Sequence, residues 1–387
     1  MLDWMSRLEG GAIRFCDTGT PRLFGEGGPN SLRADWNIND SEFYRHLATG
    51  GSLGLAESYL RGHWKSNDLT SLLAILYRNQ RTSKVTGITA ALARLFGRFA
   101  QFVDGNTVHG SRRHIAAHYD LSNEFFELFL DPTLMYSSAF FEGEDVSLYE
   151  ASVAKLDQIC SKLDLQPSDD VLEIGTGWGG FALHAVQNHD IRLATTTISS
   201  AQFEKARERF ARAGIEERVQ LLDTDYRHLD GQYDKLVSIE MVEAVGERFL
   251  DTYFRKCGRL LRPGGRFVLQ AIVMPEQRYG YYRRNLDFIQ KYIFPGGFLP
   301  SVTALHESVG RTSGLRLQDV EDLSTHYART LREWRNRFFN RLDDVRALGF
   351  DDRFIRMWEY YLCYCEAAFR EQAVRVVQIV WDQPRRS

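Results

Sequence analysis

A glycine-rich turn follows an apolar run in the middle of the chain, and its spacing suits a ligand that approaches the backbone closely. Residues 171–186 read VLEIGTGWGGFALHAV, in which Gly175, Gly177 and Gly179 separate an apolar strand from a helix. Glycines at this spacing let backbone amides reach a ligand and turn the chain tightly enough for the helix to pack on the strand. The pattern is GxGxG and not the GxGxxG of a dinucleotide fold. Such turns also form for steric reasons alone, so the neighbouring residues must be considered.

Polar side chains near this turn indicate which ligand it holds. Glu173 precedes the turn, and a carboxylate there suits a cationic amino group. The next predicted strand ends in hydroxyl side chains, among them Thr197, and Gln202 follows it. These groups suit a ribose or a methionine tail better than a pyrophosphate. With Asp225 and Tyr226 after the third strand, placed to hold adenine, the set predicts an S-adenosylmethionine (SAM) site.

A second segment combines an aromatic helix with a hydroxyl-rich turn. Residues 116–145 read AAHYDLSNEFFELFLDPTLMYSSAFFEGED, and helical spacing groups the apolar residues of the first half on one face. Core packing accounts for that half. The segment then runs through Tyr136, Ser137 and Ser138, hydroxyl groups among aromatic rings that an ordinary helix end does not require. We predict that Tyr136 and Ser137 contact SAM.

The elements that position these residues follow from the pattern of the chain beyond residue 113. Apolar or β-branched runs alternate there with helical segments, and the runs read SDDVLEIG, IRLATTTIS, RVQLLDTD, YDKLVSIE and GGRFVLQAIV. This alternation predicts an α/β fold with an open, mostly parallel, doubly wound sheet, whose ligands lie at the carboxyl ends of the strands. Residues 301–381 are predicted to return to helix.

Two regions precede this catalytic domain, which is predicted at residues 113–387. Residues 1–80 are predicted to be a small mixed α+β module of short strands and glycine-broken helices. Residues 81–112 are predicted to be a basic linker: from Arg78 to Arg113 the net charge is +6, and apolar residues recur at helical spacing. This pattern is typical of an amphipathic helix on a membrane surface. A helix that bridges two domains with a solvated basic face is the alternative.

Composition narrows the class of protein. A chain of 387 residues that is 44% hydrophobic and 13% aromatic can build substantial cores. The net charge of −3 does not favour a nucleic-acid partner. No run approaches the ~18 apolar residues of a spanning helix, and the first residues lack the features of a signal peptide, so we expect a cytoplasmic protein. Five scattered cysteines predict reduced thiols and no structural metal.

Taken together, these motifs resemble the cyclopropane-fatty-acyl-phospholipid synthase family and its mycolic acid methyltransferase relatives. The family segment HYDL(S/N)xxF(F/Y)xLFLDPxxxYSCAYF has its counterpart at residues 118–141. The glycine turn, SIEMVEAVG, KYIFPGGFLPS, HYARTLREW and MWEYYLCYCEAAFR follow in the family's order, and GSLGLAESYLRGHW extends the resemblance to nearly the whole chain. It implies a class I SAM-dependent methyltransferase, Rossmann-like, with a small N-terminal domain.

The resemblance also implies a reaction. The methyl group of SAM would pass to the cis double bond of an unsaturated acyl chain in a phospholipid, forming a cyclopropane fatty acid at the inner face of the membrane, where the protein would bind peripherally. An alkene is a poor nucleophile, so the site must be dry and must orient the reactants, and aromatic faces can stabilise the resulting cation. A base then removes a proton, and in the family this base is a bound bicarbonate.

Five positions correspond to the family's anion site. The family's GMFEHVG reads EMVEAVG at residues 240–246, so its glutamate is Glu243; its tyrosine and isoleucine are Tyr327 and Ile272. Two positions differ, because the cysteine of YSCA is Ser138 here and the histidine is Gln270. A glutamine offers amide donors to an anion but carries no charge, so bicarbonate as the base is left open.

Other products and functions are also left open. If a hydrogen of the acyl chain leaves instead of one from the new methyl group, a methyl-branched alkene forms, the route to 10-methyl fatty acids; the ring is placed first because Glu243, Tyr327 and Ile272 are retained.

A methyltransferase of a soluble small molecule would not need the basic, aromatic N-terminal region. Ala244 also removes the histidine of the Glu–His dyad in related plant N-methyltransferases. A lipid-binding protein without catalysis would not need the intact glycine turn. A homodimer, the head group and the double-bond position are not determined.

Overall fold

The computed structural model describes residues 2–17, 19–26, 28, 31–79 and 121–385. The predicted basic linker, residues 81–112, and the domain boundary predicted beside it lie outside these ranges. Within them the chain forms two compact units. One comprises residues up to 79, 280–293 and 331–374; the other comprises 121–279, 294–330 and 375–385. Helices are numbered below in chain order over the described residues.

The first unit contains a four-stranded mixed sheet in the order β2-β1-β3-β4. Its strands are β1 Gly11–Cys16, β2 Arg22–Phe24, β3 Leu32–Ile38 and β4 Trp64–Lys65. Its N-terminal helices are α1 Leu2–Met5, α2 Glu42–Leu60 and α3 Leu69–Arg78. Edge-to-face contacts of Trp36 with Phe43 and Trp64, at centroid distances of 5.5 and 5.8 Å, build the core beneath the sheet. The mixed α+β fold predicted for the N-terminal domain is confirmed.

Two C-terminal helices, α12 Leu342–Ala347 and α13 Asp352–Arg370, also lie in the first unit. The side chain of Asp351 caps α13 by accepting from the backbone N–H of Phe354 at 2.8 Å. Along α13 aromatic residues face inward, and the hydroxyl of Tyr59 on α2 donates to Glu359 at 2.7 Å. The aromatic run near the end of the chain is therefore core of this unit.

The second unit contains a seven-stranded sheet in the order β10-β11-β9-β8-β5-β6-β7. Its strands are β5 Asp170–Ile174, β6 Arg192–Thr197, β7 Val219–Asp223, β8 Tyr233–Ile239, β9 Leu261–Val273, β10 Arg316–Asp322 and β11 Arg375–Asp382. Strands β5 to β9 pair in parallel, and β10 and β11 are antiparallel. The predicted fold class, a mostly parallel doubly wound sheet, is confirmed.

The α-helices of this unit are α4 Asn123–Glu127, α5 Leu148–Leu163, α6 Gly180–Asn188, α7 Ser200–Ala213, α8 Leu250–Leu260, α9 Glu276–Tyr282, α10 Val302–Thr312 and α11 Ser324–Asn340; α9 and α11 continue into the first unit. Buried residues of α5, α6 and α7 pack on one face of the sheet, and those of α8 and α10 pack on the other. Consecutive residues of β5 enter opposite cores: Val171 packs in one buried cluster and Leu172 in the other. Because neighbouring strand residues point to opposite faces, a strand buried on both sides must be apolar throughout.

The prediction of helix from residue 301 to 381 was wrong at its two strands, β10 and β11. Strand β11 reads RVVQIVWD and is buried between β9 and β10, so its continuous apolar run carries no alternation that distinguishes a strand from a buried helix. Strand β10 is exposed along nearly its whole length. Residues 316–322 form a strand because they pair with β11, and the local sequence does not reveal this pairing.

The strand order places three carboxyl ends together. β5 lies between β6 and β8, so the order reverses at β5, the point of such a sheet at whose carboxyl edge ligands bind. β8 ends at Ile239 and β9 at Val273, on the same edge because both run parallel to β5. Residues that follow these strands can therefore meet. No helix in the described ranges is long and apolar enough to cross a membrane.

Candidate active site

The glycine turn after β5 leaves open space at Gly177. Its φ is +53°, in the left-handed region, and a Cβ built there would meet no atom within 4 Å. A Cβ at Gly179 would instead lie 2.7 Å from the ring of Phe210. Packing therefore explains the glycine at 179, whereas the glycine at 177 borders space that a ligand can enter.

Glu173, near the end of β5, has a buried carboxyl group. It is 2% exposed and accepts from the hydroxyl of Thr195 at 2.6 Å. Burial raises its pKa to about 8, and the Thr195 hydrogen bond and the charge of Lys155 oppose this shift. Lys155, on α5, is itself fully buried; burial lowers its pKa to about 8, while nearby carboxylates oppose that change.

The hydroxyl turn lies beside this lysine. Ser137 accepts from the ammonium of Lys155 at 2.9 Å and is 3% exposed. The ring of Tyr136 lies 5.2 Å from that of Phe126 and 6.3 Å from that of Phe294. Both candidate SAM contacts of the segment are thus held in place by neighbours of the second unit.

The remaining candidate SAM residues follow β6 and β7, as predicted. Thr197 donates its hydroxyl to the side-chain oxygen of Gln202 at 3.0 Å, which joins the strand end to α7. Asp225 is paired in bidentate fashion with Arg227. The ring of Tyr226 packs 5.3 Å from a buried tyrosine of the core. As contacts to adenine, Asp225 and Tyr226 stay predictions.

The residues predicted to hold an anion surround a carboxylate that the sequence analysis did not single out, Glu240. Its Oε1 accepts from the backbone N–H of Ser138 at 2.9 Å and from the side-chain amide of Gln270 at 2.7 Å. Its Oε2 accepts from the hydroxyl of Tyr327 at 2.7 Å. Gln270 also accepts from Gln378 at 3.0 Å, and both glutamines are fully buried. Three of the five predicted residues therefore meet at one carboxylate.

The other two predicted residues form a second contact. Glu243 Oε1 accepts from the backbone N–H of Ile272 at 2.5 Å. Its Oε2 is buried and has no hydrogen-bond partner among the described residues. Burial raises the pKa of Glu243 to about 8, and the charge of Glu240 raises it further. At neutral pH this group is mostly protonated, a carboxylic acid in a dry environment.

Sequence reasoning missed Glu240, Lys155 and Gln378. The signal for Glu240 was present, because the family's GMFEHVG has glycine where this chain has Glu240. Its backbone keeps the left-handed φ, +48°, that suits a glycine. Lys155 and Gln378 lie in a helix and a strand without a local motif, and only burial distinguishes them.

The sheet order, the glycine turn after its central strand and the polar strand ends define a class I SAM-dependent methyltransferase. A family model described as mycolic acid cyclopropane synthetase matches residues 107–379, more than half of the chain. The chain belongs to this family, as the sequence motifs indicated.

Named relatives agree with this assignment. The chain is 41% identical over 341 residues to a tuberculostearic acid methyltransferase of Mycobacterium tuberculosis, with 86% of this chain and 79% of the relative covered. It is 35% identical over 361 residues to the cyclopropane-fatty-acyl-phospholipid synthase of Escherichia coli, covering 91% and 89%. A solved mycolic acid cyclopropane synthase, complexed with SAH and CTAB, is 32% identical and superposes with a TM-score of 0.66 over 70% of this chain and 98% of that one.

Proposed function

We propose that the protein transfers the methyl group of SAM to the cis double bond of unsaturated phospholipid acyl chains, with a cyclopropane fatty acid as the product. The observation that carries the proposal is the pair of largely desolvated carboxyl groups, Glu240 and Glu243, after β8. Methylation of an alkene carbon leaves a cation that must lose a proton. A proton acceptor in a dry pocket meets this requirement.

SAM supplies an electrophilic methyl group, and the residues beside the glycine turn would hold it. Gly177 borders the open space, Thr197 and Gln202 offer polar groups after β6, and the buried Glu173 suits the amino group of the methionine tail. The further residues proposed for SAM are Tyr136, Ser137, Gly175, Gly179, Asp225 and Tyr226. The names of the E. coli and M. tuberculosis relatives support a lipid substrate.

A second product is favoured by one observation. The relative that is 41% identical is named for tuberculostearic acid, a methyl-branched fatty acid. The same cation gives a methyl-branched alkene if a hydrogen of the acyl chain leaves instead of one from the new methyl group. The position of the base relative to the cation decides between the two products.

The proposed setting is the inner surface of a membrane. Residues 81–112 would supply the basic contact, residues 1–80 the N-terminal module and residues 113–387 the catalytic domain. The argument rests on the net charge of +6 between Arg78 and Arg113, which would attract anionic headgroups.

The test uses vesicles whose phospholipids carry cis-unsaturated acyl chains, and SAM with a trideuterated methyl group. Mass analysis of the released fatty acids distinguishes the products: a ring retains two deuterium atoms, and an alkene formed by loss of a chain hydrogen retains three. Vesicles with saturated chains are the control. Absence of label in every acyl chain, together with methylation of a soluble amine or alcohol, would contradict the proposal.

A further inference from the structure

The donors that the family resemblance assigns to bicarbonate are already occupied in this protein. The backbone N–H of Ser138, the amide of Gln270 and the hydroxyl of Tyr327 all donate to Glu240, at 2.7 to 2.9 Å. A carboxylate and a bicarbonate ion present the same pair of oxygens to such donors. A bicarbonate bound to these donors would have to displace the carboxylate of Glu240 from all three hydrogen bonds. The residues present therefore do not fit a bound bicarbonate.

We infer that Glu240 is the built-in base of this enzyme, a side-chain carboxylate in the place of the anion that the family resemblance implies. The inference rests on the proposed methylation of an alkene. Among the described residues, Glu240 Oε2 accepts one hydrogen bond, from Tyr327. A carboxylate oxygen has a second lone pair, which can accept a proton from the substrate. Glu240 also keeps part of its surface accessible, unlike the fully buried Gln270 beside it.

In the proposed step, the π electrons of the alkene form a bond to the methyl carbon as the carbon–sulfur bond breaks with its electron pair on sulfur. The second alkene carbon becomes the cation. A C–H bond of the new methyl group then breaks: its electron pair closes the three-membered ring, and its proton passes to Glu240 Oε2. The products are the cyclopropane, S-adenosylhomocysteine and one proton, which leaves to solvent after the product does. No further reactant is required.

Three hydrogen bonds and the charge of Lys155 favour the charged form of Glu240, although its pKa is raised overall. Burial raises its pKa, while the bonds from Ser138, Tyr327 and Gln270 and the charge of Lys155 oppose the rise. Glu240 accepts hydrogen bonds from three residues and Glu243 from Ile272, so we place the proton of the pair on Glu243, whose pKa burial raises to about 8. The site then contains one carboxylate and one carboxylic acid. Different surroundings give the two acidic groups different protonation states and so different roles.

Two variants of Glu240 separate a side-chain base from a bound anion. Glu240→Gln fills the same space but removes the base, so turnover should fall at least ~10²-fold, with or without bicarbonate. Glu240→Gly restores the family's residue and vacates the donors. In bicarbonate-free buffer its turnover should fall as far as that of Glu240→Gln. Addition of millimolar bicarbonate should then raise its turnover at least about tenfold. The left-handed backbone at this position suits the glycine.

A binding measurement complements these rates. With ¹³C-labelled bicarbonate, NMR line broadening should report binding to Glu240→Gly and none to the native protein or to Glu240→Gln. SAM affinity by calorimetry should be alike in all three, which shows that each variant is folded. The double variant Glu240→Gly with Gln270→His should bind bicarbonate more tightly than Glu240→Gly, because imidazolium adds a charge.

The inference is overturned if the native enzyme methylates acyl chains only when bicarbonate is present, or if Glu240→Gln keeps the native rate. It is also overturned if Glu240→Gly neither binds labelled bicarbonate nor responds to it. Failure of the proposed function is a different result: the native enzyme would then label no acyl chain under any condition. The two failures are therefore distinguishable in the same set of assays.

Discussion

The ammonium of Lys155 donates to the hydroxyl of Ser137 at 2.9 Å, and neither side chain is more than 3% exposed. This contact joins α5 to the hydroxyl turn and places a buried positive charge where it interacts with the carboxylates of Glu240, Asp131 and Glu173. Acidic groups of both the proposed SAM site and the proposed base thus share one cation. We therefore expect Lys155 to affect both the stability of the fold and the proposed reaction.

Replacement of Lys155 by an uncharged residue should destabilise the fold. We expect Lys155→Met to lower the free energy of unfolding by about 3 kcal/mol, because buried carboxylates lose their compensating charge. Urea denaturation at neutral pH measures the change. Lys256→Met is the control: Lys256 is 19% exposed and lies 3.7 Å from the exposed Asp230, so it should cost less than about 1 kcal/mol. Equal effects of the two changes would contradict the prediction.

A side chain at Gly177 should abolish SAM binding without preventing folding. The Cβ of Gly177→Val meets no protein atom within 4 Å and enters the open space, at a strain of about 2 kcal/mol from the positive φ. Calorimetric titration with SAM is the measurement. Gly214→Val is matched, since Gly214 has a φ of +66° and equally open space at the end of α7. Micromolar SAM affinity in the Gly177 variant would refute the assignment.

The hydroxyl of Tyr327 should tune the proposed base. Tyr327→Phe removes the hydrogen bond to Glu240 Oε2, and we expect turnover to fall about 10- to 100-fold with unchanged SAM affinity. Because that bond favours the charged carboxylate, its loss should raise the pKa of Glu240 and move the acidic limb of the pH–rate profile upward. Glu243 and Lys155 also act on this carboxylate, and both are retained in the variant.

A tyrosine–carboxylate pair outside the site provides the control for this change. The hydroxyl of Tyr44 donates to Asp17 at 2.6 Å in the first unit. Tyr44→Phe should leave turnover and its pH profile as in the native enzyme. A Tyr327 variant with native kinetics throughout the pH range would show that this hydroxyl has no part in proton transfer.

Glu243 should make the protein less stable as the pH rises. Its pKa is raised from 4.5 to about 8 on folding, so its stabilising contribution is complete below about pH 4.5 and is lost as the pH rises through 8. The side chain in Glu243→Gln cannot ionise. When the pH rises from about 5 to about 8, the free energy of unfolding of this variant should therefore increase by at least about 1 kcal/mol relative to that of the native protein. Unfolding curves at both pH values measure it.

Membrane binding should depend on charge. The net charge of +6 between Arg78 and Arg113 should favour anionic over neutral vesicles, and salt should weaken the binding because charges are screened over about 8 to 10 Å. Cosedimentation tests this. Arg94→Gln with Arg98→Gln should weaken anionic-vesicle binding by about 1 kcal/mol per charge. Arg207→Gln with Arg341→Gln, two exposed arginines elsewhere, is the matched control. Equal binding in all conditions would contradict a charged surface contact.

The parallel sheet and its glycine turn could be predicted from the sequence because their signals are local. Apolar or β-branched runs mark β5 to β9, and the turn at residues 175–179 is a compact pattern between a strand and a helix. The motifs likewise indicated Ser138, Gln270 and Tyr327 as one site although up to 189 positions separate them in the chain. This grouping came from resemblance to a family.

Tertiary structure decided what those residues hold. Glu240 lies three residues before the predicted Glu243, and its role depends on donors from three distant segments that meet only in the folded protein. The same holds for Lys155, whose charge matters because burial removes water from around it. Hydrogen bonds and desolvation are properties of the assembled interior, and a local sequence pattern contains neither.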